Sequence, residues 1–209
     1  MAQPQTVELD ARRIRRLRRA ELPENTVELA RFLVGKSIVR ELAHGRLGGR
    51  IVETEAYLPG DAACHAFNGQ TRRNRSLFLR HGHAYVYFCY GAHFMLNVSS
   101  EAHGTGAGIL LRAIEPFEGI ESMKRRRLTG RVLDLARGPG RLASALRISR
   151  RLDGLDLTAN GELWLGTAVR PVGEIGVSMR IGITKDADRL LRFYEQGNPF
   201  VSGPKRLRI

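Results

Sequence analysis

The chain is poor in lysine, cysteine and uninterrupted apolar sequence, and each scarcity excludes something. Of its 34 basic side chains only Lys36, Lys124, Lys185 and Lys205 are lysines. Chemistry that runs through a lysine Schiff base has few residues to use. Two cysteines, Cys64 and Cys89, make no disulfide framework and point to reduced thiols. The apolar runs are short and broken, so no transmembrane helix is expected. The N-terminus lacks the charged-then-apolar order of a secretion signal. Several motifs are missing too. There is no Gly-x-Ser-x-Gly elbow, no Gly-x-x-x-x-Gly-Lys phosphate loop and no Gly-rich dinucleotide fingerprint. Cys64, His65, His81, His83, Cys89 and His93 cluster in the sequence, but their spacing fits no common zinc pattern.

What is present is positive charge. The 209 residues carry a net charge of +13. Arginine makes bidentate contacts to phosphate, so this excess suits a polyanionic partner. With no secretion signal, a cytoplasmic, nucleoid-associated location is expected. Residues Arg12 to Arg19 read RRIRRLRR, which is expected as a solvated, disordered arm.

Hydrophobic content of 43% is that of a globular domain. A helix is expected from Asn25 to Val34, capped by Asn25, ended by Gly35, with Leu29, Phe32 and Leu33 on its core face. Strands are expected at Ile38-Val39, Ile51–Ala56, Ala84–Tyr90, Phe94–Ser99 and Ile109–Ile114. A long polar loop, 59–82, separates two of them. Pro116 to Arg127 reads as a helix, and Gly138-Pro-Gly140 opens a short one through Leu146. Leu163–Leu165 and Ile175–Ile183 read as late strands. The pattern predicts one α+β domain built on an antiparallel sheet.

The segment Arg50-Ile-Val-Glu-Thr-Glu-Ala-Tyr57 is the most informative. In a strand, Glu53, Glu55 and Tyr57 share one face. A face with two acids and an aromatic is not ordinary core, because carboxylates are rarely buried without partners. These two carboxylates are the acid/base candidates, and spacing alone does not say which acts. Four of the five tyrosines are Tyr57, Tyr85, Tyr87 and Tyr90. Tyr85 is expected to fill core. Tyr90, at a hairpin turn with Gly91, is placed like a wedge for stacked bases.

Together these residues resemble the alkyladenine (3-methyladenine) DNA glycosylase family. The matching segments include Ala30–Lys36, Ile51–Tyr57, Asp61–His65, Thr71–Arg75, Tyr85–Tyr87 with Tyr90-Gly91, Asn97–Ser99 and Leu111–Ala113. They continue with Gly138–Leu142, Arg180–Ile183, Arg192–Tyr194 and Val201-Ser202. They follow the family's order from about residue 25 to 202. The resemblance implies a monofunctional enzyme of base excision repair. Such an enzyme flips an alkylated or deaminated purine out of double-stranded DNA and hydrolyses its N-glycosidic bond, leaving an abasic site. It implies Glu55 as the base that activates water, with Arg112 beside it. Tyr57, His65 and Tyr87 are implied as walls around the base, and Asn97 as the residue that disfavours normal guanine. Tyr90 becomes the intercalating wedge. Thr71, Arg73, Arg141 and Lys185 are assigned to the DNA backbone. No cofactor, no metal and no membrane partner is implied, and a monomer is expected. The fold implied is a curved sheet flanked by helices, with a hairpin protruding at the DNA-binding face. The basic arm takes residues 1–20 and the glycosylase domain 21–209. Ala92 and His93 depart from the family's bulkier hairpin tip, which puts its grip on the opposite strand in question. A non-catalytic binder of damaged or distorted nucleic acid is the alternative, without need of the carboxylate.

Overall fold

The computed structural model describes residues 14–89 and 91–204. Its centre is β2 (Gly45–Tyr57), a thirteen-residue strand. All strand pairings are antiparallel, and the curled sheet runs β3 (Ala84–Cys89), β4 (His93–Ser99), β5 (Gly108–Glu118), β2, β1 (Ser37–Leu42) and β6 (Leu163–Gly166). Two short strands, β7 (Ile175–Ser178) and β8 (Arg192–Glu195), join through β8 to the far half of β2. Among the described residues three helices flank the sheet: α1 (Thr26–Leu33), α2 (Ile120–Arg127) and α3 (Pro139–Ala145).

Helix α1 forms as its sequence dictates. The Asn25 side chain accepts from the amides of Val27 at 2.9 Å and Glu28 at 3.1 Å, filling donors that the first turn leaves open. Thr26, Leu29, Ala30 and Leu33 recur at helical spacing and bury one stripe against β2. The Thr54 hydroxyl donates to Ala30 O at 2.9 Å and ties the helix to the strand.

The sheet is where sequence and structure differ most. Ile51–Ala56 marks less than half of β2. The Gly-rich half before it pairs with β1, and there Gly48 and Gly49 leave room for Phe117 and Ile114 of β5, whose side chains lie under 3 Å from any added Cβ. Pro116 does not open a helix. It lies in β5 opposite Gly49, where the register shifts and a missing N–H is tolerated. Helix α2 begins only after Gly119, which adopts φ +72. Strand β7 stops at Ser178, short of Ile183, and Arg192–Glu195 form a strand that the short Leu-Arg-Phe-Tyr run did not signal. From Ile14 onward the expected solvated arm is held to the sheet: Leu17 is buried and its amide donates to Leu165 O at 2.9 Å. Arg12 and Arg13 lie outside the described residues.

One local irregularity positions everything that follows. Pairing runs Ile51↔Ile114, Glu53↔Ala113, Thr54↔Leu111. Val52 on β2 and Arg112 on β5 are each left over, as a pair of offset bulges. Before the bulges Leu47, Ile51 and Ile114 face the main core; beyond them Ala56, Ile109 and Leu111 do. The parity flips. Without that flip Glu53, Glu55 and Tyr57 would share the core side with Ile51; with it, they face away from α1.

Candidate active site

Beyond the bulge, one row of residues crosses four strands: Tyr85↔Asn97 on β3 and β4, Asn97↔Leu110 on β4 and β5, Leu110↔Glu55 on β5 and β2. Tyr87, Met95, Arg112 and Tyr57 flank this row on the same face. A cavity of about 370 Å³ lies over it, within the size range of small-ligand sites. The loop after β2 supplies Ala63, Cys64 and His65, the segment after β7 supplies Ile181, Gly182 and Ile183, and α3 supplies Pro139.

Glu53 and Glu55 are both buried, yet their surroundings differ. Glu53 accepts from Arg192 Nε at 2.7 Å, Arg112 Nε at 3.0 Å and the Ser202 amide at 2.6 Å. Burial alone would raise its pKa, but the charges of Arg112 and Arg192 hold it below the ordinary value. Glu55 accepts from the Ile181 amide at 2.7 Å and Tyr57 Oη at 2.9 Å, and pairs with Arg112 at 3.0 Å. All three of those partners line the cavity; of Glu53's partners only Arg112 does. Burial, and next the Glu55 charge, push the Tyr57 hydroxyl far up, so it stays a donor. Arg112 keeps its proton despite burial because both carboxylates face it.

The aromatic walls are built in the same way. His65 packs edge-on against Tyr87 with ring centroids 4.4 Å apart, and Tyr87 stacks on Tyr85 at 5.4 Å. His65 Nδ1 lies 2.9 Å from the Tyr85 hydroxyl. Burial and then the charge of Arg73 lower the His65 pKa, so the ring is neutral near pH 7. Burial pushes Tyr85 up to about 12. Buried Asn97 donates from Nδ2 to Tyr85 O at 3.2 Å.

The structure therefore brings together Glu55, Arg112, Tyr57, His65, Tyr87 and Asn97. Tyr90 lies outside the described residues. Arg73 and Lys185 are exposed, and neither forms an ion pair among the described residues. Arg141 is exposed and pairs with Asp134 at 3.2 Å. Thr71 is exposed but engaged: its amide and hydroxyl both donate to Asn74 Oδ1, at 2.6 and 3.0 Å. Buried Asn74 in turn donates to His65 O and Gly69 O, clasping the loop that carries His65. An open depression beside this loop is lined by Arg72, Arg73, Arg75, Arg150 and Asp153. At the hairpin, the His93 ring sits against Gly140, where a Cβ would come within 2.9 Å of it.

Sequence reasoning missed three participants. Tyr85 is buried as expected, yet its hydroxyl holds His65. The Ile181 contribution is a backbone N–H, which no side-chain pattern reveals. Asn74 was hidden in an arginine-rich loop that read as charge.

The chain is similar to proteins of one family. Residues 20–199 match the methylpurine-DNA glycosylase family. A protein of Mesorhizobium japonicum is 63% identical over 190 residues, 91% of each chain. One of Paraburkholderia phytofirmans is 51% identical over 193 residues, covering 92% of this chain and 91% of its own. One of Rubrobacter xylanophilus is 44% identical over 175 residues, covering 84% of this chain and 91% of its own. Each carries the name "Putative 3-methyladenine DNA glycosylase". Among the described residues no helix is long and apolar enough to cross a membrane. The chain belongs to the methylpurine-DNA glycosylase family, and so is a DNA glycosylase, a hydrolase of N-glycosyl bonds.

Proposed function

We propose that this glycosylase excises alkylated or deaminated purines from double-stranded DNA, with Glu55 as the general base and water as the nucleophile. The observation that carries the reading is a buried carboxylate whose three partners all line an aromatic cavity. A carboxylate offers about four acceptor positions. Three on Glu55 are filled, which leaves one for a water molecule. Arg112, 3.0 Å from Glu55, is placed to orient that water.

Glu55 is fully buried, so a stacked base must leave the helix to reach it. Tyr57, His65 and Tyr87 supply the faces on which it stacks. An N-alkylated purine carries positive charge and is already a good leaving group, so no strong general acid is needed. As the bond breaks, positive charge grows on the sugar, and the Glu55 carboxylate stabilises it. Asn97 is fixed by Tyr85 O, and we assign it the rejection of guanine's exocyclic amine. Tyr90 is proposed as the wedge that fills the gap in the stack. Thr71, Arg73, Arg141 and Lys185 are proposed for phosphate contact; Arg141 and Lys185 each lie two residues from a cavity-lining residue, Pro139 and Ile183.

None of the lining residues is a lysine, which favours direct hydrolysis over Schiff-base chemistry. End-labelled duplexes bearing one hypoxanthine or one 7-methylguanine test this. Strand breaks are expected only after alkali. Breaks without alkali would replace water with an amine. No base release by folded protein that still binds the duplex would leave a non-catalytic binder.

A further inference from the structure

Arg180 is a buried charge that the proposed chemistry leaves unused. Its guanidinium and the Asp61 carboxylate are fully buried and paired, with Nη2 to Oδ1 at 3.1 Å and Nη1 to Oδ2. The same group donates to Ala56 O at 3.0 Å and to Asp186 O at 3.1 Å. Its carbon lies 4.7 Å from the centroid of the Tyr57 ring. Tyr57 lines the cavity and Arg180 does not. The guanidinium therefore covers the face of Tyr57 turned away from the cavity. Four bonds fix it there.

A ring covered by one cation is a poorer platform for a second. The attraction of a cation to an aromatic face is electrostatic. A base stacked on the open face would sit roughly 8 Å from the guanidinium carbon, given a stacking gap of about 3.5 Å. At that range in a buried site, like charges repel appreciably. The Asp61–Arg180 pair is neutral as a whole, but its positive end is the one over the ring.

We infer that Arg180, acting through Tyr57, determines specificity by opposing cationic bases and thereby raising the share of neutral purines the pocket accepts. The inference rests on the proposed stacking of the base on Tyr57. Arg180 is a positioning residue as well, since Ile181, whose amide binds Glu55, follows it in the chain. A purely positional role predicts equal losses on all substrates. The electrostatic role predicts a change in their ratio.

The test is the single-turnover excision ratio of 7-methylguanine, a cation, to hypoxanthine, which is neutral, in the same duplex context. Arg180→Gln removes the charge and is expected to raise this ratio about fivefold. Arg180→Lys keeps the charge and should leave it near the wild-type value. Asp61→Asn exposes the arginine's charge and should lower the ratio, the opposite sign. Should Arg180→Gln not fold, Asp61→Asn read against Arg180→Lys still decides, because only the former should lower the ratio. An unchanged ratio, or movement in the same direction for Arg180→Gln and Asp61→Asn, would overturn the inference. If wild type releases neither base, the proposed function fails instead, and the two failures are told apart.

Discussion

Strand β2 carries two buried ion networks, one on each side of its bulge, and they do different work. Before the bulge, Arg50 pairs with Glu195, its Nη2 at 2.8 Å from Oε1. Arg170 reaches Glu195 at 3.0 Å and Glu115 at 2.8 Å, and Asn198 Nδ2 donates to Glu195 at 2.7 Å. None of these residues lines the cavity. After the bulge, Glu53, Arg112 and Arg192 form a similar cluster, but Glu55 opens it to the cavity through all of its partners. Both are built around a buried arginine–glutamate pair. What separates structure from chemistry is whether the charge meets a space that a substrate enters. A buried ion pair alone does not mark a site.

Breaking the closed network should cost the most stability. Glu195→Ala leaves buried Arg50 with only Glu115, at 3.9 Å, as an ion-pair partner and is expected to destabilise the fold by about 3–5 kcal/mol. Urea unfolding measures this, and a loss under 1 kcal/mol would remove the contrast. Acid should reach both networks. Burial would raise Glu195, but Arg50 and its other partners hold it down at about 2. Glu53 and Asp61 are also depressed. Depressed carboxylates give stability that is present above their unfolded values and lost as pH falls through the folded ones. The melting temperature should thus be level near neutrality and fall below about pH 4.5, and Glu195→Gln should shrink that fall. A melting temperature that holds to pH 3 in wild type would contradict the ion-pair account.

Smaller effects belong to the cavity wall. Asn74→Ala unties the loop from Thr71, Gly69 and His65, at an expected cost of about 1–3 kcal/mol. It should slow excision more than it lowers melting at the assay temperature, because His65 loses its seat. Tyr85→Phe removes one hydroxyl contact to His65 and should cost about 1 kcal/mol, seen as a severalfold slower excision. Equal excision in Tyr85→Phe and wild type would make Tyr85 mere packing.

Much of this was legible in the sequence. Asn25 and the spacing of Leu29 and Leu33 specify α1. The alternation of Glu53, Glu55 and Tyr57 places two acids and an aromatic on one face. Tyr85 and Tyr87 follow the same rule. Other features were not legible. The bulge pair at Val52 and Arg112 depends on two strands at once, and no single strand's pattern encodes it. Pro116 punctuates a helix in most sequences, but here Gly119 does so three residues later. Choosing between Glu53 and Glu55 needs Arg192 and Ser202, which arrive from the far end of the chain. The Ile181 amide is a backbone group and leaves no mark in composition.

The central claim is that Glu55, and not the fold around it, drives hydrolysis. The most direct measurement is single-turnover base release from a hypoxanthine duplex by Glu55→Gln, at saturating protein whose melting temperature and duplex affinity match wild type. Gln keeps the shape of Glu55 and one acceptor oxygen but removes the charge and the basicity, so with folding and binding matched the account predicts a rate lower by on the order of 10³-fold. Release at the wild-type rate by that folded, DNA-bound variant would contradict it.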